Sequence, residues 1–156
     1  MNSMNHLEFR LDKWIFRVPK DRLYNENDCW AKIDDNTATV GITDFLQNIM
    51  SDVIFVQLPK IGDKIEQFDE AGSLESIKAT LDVISPVSGL VQEANSELVN
   101  APDLANTDPY GKGWFLKIQL SDFKSDRENL IDAADYLEVM KKKAEREQDK
   151  LKKGKS

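Results

Sequence analysis

The chain has one cysteine and one histidine, Cys29 and His6, in 156 residues. A lone cysteine excludes an internal disulfide and fits a reducing compartment, so a cytoplasmic location is expected. A lone histidine leaves no ligand cluster with metal spacing, and no Gly-rich phosphate loop occurs. No apolar run approaches the roughly 18 residues of a membrane span. Residues 1–10 mix Asn, His, Glu and Arg and lack the apolar core of a signal peptide. These absences point to a non-catalytic, non-membrane protein.

Positive charge is also scarce, except at one end. Residues 1–140 hold 13 Lys+Arg against 25 Asp+Glu, a net −12, whereas residues 141–156 hold 8 against 3, a net +5. An acidic body argues against nucleic-acid binding. It keeps a protein soluble, and its field can steer it towards basic patches on partners. The length is that of one domain, and 40% apolar residues suffice for a core.

What is present is a lysine in an unusual place. Gly72-Ser73-Leu74-Glu75-Ser76-Ile77-Lys78-Ala79 is followed by Ser85-Pro86-Val87-Ser88-Gly89. Leu74 and Ile77 on one side, and Leu81, Val83 and Ile84 on the other, read as two short strands meeting at a tip beside Lys78. A compact ammonium on a flexible stem at such a tip suits enzymatic acylation.

The surrounding chain reads as short strands and short helices. Strands are expected over 29–33, 37–42, 53–58 (buried), 64–67, 90–93 and 114–120. Thr43 is read as the N-cap of a helix through Met50, and Asp132 as the cap of a helix starting at Ala133. Residues 1–22 are expected to form a weakly structured arm, with Trp14-Ile15-Phe16 as a docking point and His6 mobile. Residues 23–140 form the domain. Residues 141–156 have helix-forming composition without an apolar face and are expected to fray.

Five blocks together resemble the glycine-cleavage H-protein and lipoyl-carrier family. They are Val40-Gly41-Ile42-Thr43-Asp44-Phe45, Asp52-Val53-Ile54-Phe55-Val56-Gln57-Leu58-Pro59, Ile61-Gly62-Asp63, Glu75-Ser76-Ile77-Lys78-Ala79 and Asp108-Pro109-Tyr110-Gly111-Lys112-Gly113-Trp114. The resemblance runs from about residue 23 to about 140. It implies a mainly β fold, a lipoyl/biotinyl-type hybrid β-sandwich (barrel-sandwich hybrid) with short peripheral helices and a C-terminal helix. It also implies lipoic acid in amide linkage on Lys78. The biotin signature has methionine on both sides of the lysine, and Ile77 and Ala79 stand there instead, which favours lipoate. Glu75 and Asp82 flank the lysine at distances that suit recognition by the attaching enzyme, a lipoate ligase or a lipoyl/octanoyl transferase. A tethered arm reaches several active sites at an effective concentration in the mM range. Dihydrolipoamide dehydrogenase is then a further partner.

The resemblance breaks at three positions. The family's first block reads Ser-His-Glu-Trp, where this chain has Asn27-Asp28-Cys29-Trp30, and Phe45 stands where the family commonly has histidine. In the family that serine and glutamate help shelter an arm loaded with an aminomethyl group, so Asn27, Cys29 and Phe45 are departures expected to cluster in one cleft. Lipoate-binding proteins of sulfur oxidation share the fold, work with a heterodisulfide-reductase-like complex, and need no shelter for a cationic amine. A thiol near the arm would suit thiol–disulfide exchange. The sequence therefore leans towards a sulfur-oxidation carrier. The alternative is a true glycine-cleavage H protein working with glycine decarboxylase and aminomethyltransferase.

Overall fold

The computed structural model describes residues 5–154. Expectations that touch residues 1–4, 155 and 156 lie outside the described residues. Two sheets share one core. The larger is six-stranded, built from β3 (Leu23–Tyr24), β4 (Cys29–Asp34), β5 (Thr37–Ile42), β7 (Lys64–Ile65), β10 (Gly89–Ala94) and β11 (Leu116–Leu120), in the order β3-β4-β5-β11-β10-β7. The smaller is three-stranded, from β6 (Val53–Gln57), β8 (Glu70–Ser76) and β9 (Thr80–Ile84), in the order β6-β8-β9. Every pairing in both is antiparallel. Val40, Ile42, Val91 and Ile118 of the first sheet meet Val56, Leu74 and Val83 of the second, all buried in one cluster. This is the two-layer β body that the alternation of apolar residues requires.

Strand periodicity places most of this core. In β5, Ala38, Val40 and Ile42 point inward two residues apart. Gly41 lies on the other face beneath Trp30, where a Cβ would sit 2.5 Å from the ring. Glycine is required there by that close approach. Trp30 is 1% exposed and its indole N–H donates to the Ile42 carbonyl at 2.9 Å. Trp114, expected to open the last strand, precedes β11 and is half-buried. Likewise β6 is not a fully buried strand, because Ile54 and Phe55 face outward.

The first correction concerns the N-terminus. The segment expected to be a weak arm is a hairpin, β1 (His6–Leu11) paired with β2 (Trp14–Pro19). Opposite residues Leu7 and Val18, Phe9 and Phe16, Leu11 and Trp14 make one apolar face. His6 is buried and bonded to Glu8 at 3.1 Å. Short helices α1 (Asp44–Met50), α2 (Ser96–Asn100) and α3 (Leu104–Thr107) lie between strands, and α4 (Phe123–Asp126) follows β11. The second correction concerns the C-terminus, where α5 (Ala133–Lys153) continues well past Met140. Ala133, Tyr136, Met140 and Ala144 form a buried stripe at helical spacing. A single alanine extends that stripe beyond Met140, so composition alone hides it. The hairpin's aromatic face closes on this helix, and the Lys141 ammonium stands 5.5 Å over the Phe9 ring.

Candidate functional site

Three residues build the tip between β8 and β9. Ser76 is buried, and its hydroxyl oxygen accepts from the backbone N–H of Lys78 and of Ala79, both at 3.2 Å. The Ser76 N–H donates to the Ala79 carbonyl at 2.8 Å and closes the turn. A serine that satisfies two turn donors fixes a tight reversal without glycine. Ile77, Lys78 and Ala79 are then left facing solvent, with Ile77 at 92% exposure.

The Lys78 side chain reaches across to α1 (Asp44–Met50). Its ammonium donates to the Ile49 carbonyl at 3.2 Å. The last carbonyls of a helix lack intrahelical partners, and α1 has no basic residue in its last turn. The lysine therefore supplies the cation that end of the helix favours. Its amine remains exposed and can leave that contact for solvent.

Of the other residues read from the sequence, Glu75 and Asp82 lie exposed on the same hairpin. Asn27, Cys29 and Phe45 occupy three different settings, not one cleft. Asn27 is exposed, in the turn before β4. Cys29 is fully buried in the main core, and burial pushes its thiol up to about 12. Phe45 belongs to the aromatic cluster, edge-on to Phe16 at 5.5 Å between ring centres. Asn25 ties the Cys29 turn to the far end of the lysine hairpin. Its side-chain oxygen accepts from the N–H of Asn27 and of Cys29, and its amide donates to the Ile84 carbonyl, all at 3.0 Å. The five residues of β9 separate that point from the tip by about 13 Å at the usual strand rise. A fully buried, protonated thiol is unsuited to exchange with an arm on Lys78.

The structure also shows a polar network that sequence reasoning missed. Buried Asp28 accepts from the Tyr136 hydroxyl at 2.8 Å and from the Lys143 ammonium at 3.0 Å. Lys143 also donates to the Glu26 carbonyl. Tyr136 and Thr43 hydroxyls meet at 2.9 Å, and Thr43 accepts from Leu46 N–H as the cap of α1. With the tyrosine proton given to Asp28, Thr43 donates to the tyrosine oxygen. Burial raises the pKa of Asp28, and the ammonium of Lys143 opposes that rise. The network runs from the basic end of α5 to the helix that receives Lys78. The only sequence signals for it were an acid before a strand and a tyrosine on a helix, and both are common.

One exposed lysine, set on a serine-locked hairpin tip of a two-sheet β body, defines a carrier domain of the lipoyl type. The family model described as "Glycine cleavage H-protein" matches residues 22–143. The chain is 41% identical over 128 residues to the glycine cleavage system H protein of Carboxydothermus hydrogenoformans, covering 82% of this chain and 98% of that one. It is 45% identical over 122 residues to that of Marinobacter nauticus, covering 78% and 93%. Among solved structures it resembles a glycine cleavage system H protein from Mycobacterium marinum, with a TM-score of 0.69 and 33% identity over 76% of this chain and 95% of the other. The chain belongs to the glycine cleavage H-protein family. Both strands of the N-terminal hairpin and the last turns of α5 lie outside the matched residues.

Proposed function

We propose that Lys78 carries lipoate in amide linkage and that the chain is the H protein of a glycine cleavage system. Its arm would take the aminomethyl group from glycine decarboxylase to aminomethyltransferase and be reoxidised by dihydrolipoamide dehydrogenase. The observation that carries this reading is the exposed amine on the serine-locked tip, within a chain of this family. The names of the relatives favour glycine cleavage over the sulfur-oxidation carrier towards which the sequence leaned. The burial of Cys29 removes the thiol that had made sulfur exchange attractive.

The residues present fit the group. Attachment needs an amine that can be reached, on a segment stiff enough to enter another protein's active site. Lys78 meets the first need, and the Ser76 turn meets the second. The deprotonated amine attacks the carbonyl of an acyl donor activated as an adenylate or thioester. The C–N bond forms, AMP or the thiol leaves, and the amine proton passes to solvent. Attached lipoate supplies a reducible disulfide to which the cargo binds. The protein's own part is presentation and shelter, which is a carrier's role and not an enzyme's.

Co-expression with a lipoate ligase should give an intact mass with one lipoyl addition, and Lys78→Arg should abolish it. Arginine keeps the charge but is not acylated by this chemistry. Addition that survives the substitution would place the group elsewhere. Native Cys29 should resist iodoacetamide at neutral pH and react on denaturation. Ready labelling of the folded protein would restore the sulfur reading.

A further inference from the structure

The last turns of α5 carry an apolar residue that the core does not use. Met140 and Ala144 are buried in the aromatic cluster of the hairpin, and Gln148 and Leu151 follow on that side of the helix at the same spacing. Leu151 is the single apolar residue among 145–153 and is 51% exposed. The hairpin turns there at Asp12-Lys13, with Trp14 half-buried at the start of β2. The Gln148 amide donates to the Asp12 carboxylate and ties the turn to the helix. The Trp14 ring rests on Phe16 at 5.8 Å between centres. Together the two elements frame a mostly apolar groove of about 540 Å³, with Trp14 and Leu151 as walls and Lys13 and Lys152 on the rim. Lys141, Lys143 and Lys150 are held in ion pairs with Glu138, Asp28 and Glu147, whereas Lys13 and Lys152 make none among the described residues.

An apolar slot edged by uncommitted ammonium groups takes an apolar side chain with carboxylates beside it. We propose that this groove docks an acidic peptide segment of a partner protein. One large apolar side chain enters between Trp14 and Leu151, and flanking Asp or Glu residues pair with Lys13 and Lys152. Charge decides the occupant. Residues 1–140 carry a net −12, so a long polyanion or an anionic bilayer that reaches past the groove meets repulsion. A short acidic segment meets only the basic end. A slot also suits a side chain better than a flat lipid surface. Every residue of the groove lies outside the family match, and none belongs to the lysine hairpin or α1. The docking site is therefore separate from the site of the arm. On the carrier reading above, it holds the chain beside a partner and raises the effective concentration at which the arm works.

The test is fluorescence polarisation of a fluorescein-labelled peptide of Glu and Asp with Phe-Leu at its centre, titrated with the full unmodified chain at low salt. The peptide should bind, and the same peptide with Ser-Ser at its centre should bind at least about tenfold more weakly, the loss of one strong anchor. Leu151→Ser should weaken binding by a similar factor. Lys13→Glu/Lys152→Glu should weaken it at least as much and flatten its salt dependence. Lys142→Glu/Arg146→Glu makes the same charge change at exposed positions on the opposite side of α5 and should alter affinity far less. Melting curves establish that each variant is folded. No binding of the Phe-Leu peptide overturns the proposal. Equal losses in the two charge variants, or wild-type affinity in folded Leu151→Ser, also overturn it, because the basic tail then attracts acid without a groove. Leu151-dependent binding of phosphatidylserine vesicles or of a single-stranded RNA oligonucleotide, in place of the peptide, assigns the groove to another class of partner and overturns the peptide reading. A chain that takes no lipoate at Lys78 yet binds the peptide through Leu151 removes the carrier reading and supports the groove.

Discussion

The molecule has two hairpins of similar local build and opposite use. β8–β9 and β1–β2 are both antiparallel, and each has one apolar and one polar face. The lysine hairpin buries Leu74 and Val83 in the main core and leaves its tip in solvent. The N-terminal hairpin spends its inner face on clasping α5, with Phe16 fully buried between Phe9, Trp14 and Phe45. Only the lysine hairpin lies within the residues matched by the family. A hairpin becomes a presenting device when its body is anchored and its turn is stiff. It becomes a brace when an aromatic face finds a helix to cover.

Three substitutions test that contrast by thermal or urea melts. Phe16→Ala should cost the most, about 3–5 kcal/mol, the usual loss for a buried aromatic. If it costs under about 1 kcal/mol, in the range of ordinary surface changes, the N-terminal hairpin is not a brace and the expected weak arm returns. Ser76→Ala should cost about 1–2 kcal/mol, because two N–H groups of the turn lose their acceptor. It should also slow lipoylation of Lys78 by loosening the tip. A stiff tip despite the alanine would mean that the strands, not the serine, hold the lysine. Lys78→Arg should shift stability by no more than about 0.5 kcal/mol, since the side chain is exposed and arginine can still reach Ile49 O. A larger loss would make the lysine a structural cap of α1 and weaken the case for presentation.

Much of the domain was legible in the sequence because it rests on local rules. β5 spans the six residues expected, and both helix caps, Thr43 and Asp132, sit where a side-chain acceptor before an apolar-periodic run places them. The lysine tip was legible for the same reason, as two β-rich flanks meeting beside Lys78, although Ile77, read as part of a flank, stands in the turn itself. The misreadings share a different cause. The hairpin at 6–19 lacks the Gly or Asn turn that announces such a unit, and its link is Asp12-Lys13, with Asp12 at φ 54°. The extension of α5 carries lysines on its exposed sides and one buried alanine, so its apolar stripe exists only once the hairpin covers it.

The sequence by itself determined the β periodicity, the caps, the family blocks and the lysine at a tip, because each depends on neighbours a few residues apart. Tertiary structure alone decided which faces those residues meet. Packing sent Cys29 into the core, Phe45 against Phe16 and Asn27 to solvent, although the sequence had set the three side by side in one cleft. It joined Asp28 to Tyr136 and Lys143 across more than a hundred residues of chain. It also put Phe55, Glu75 and Asp82 on one face of the small sheet, since strand register depends on pairing between distant segments and a one-residue slip of any of the three strands would turn that strand's residue inward.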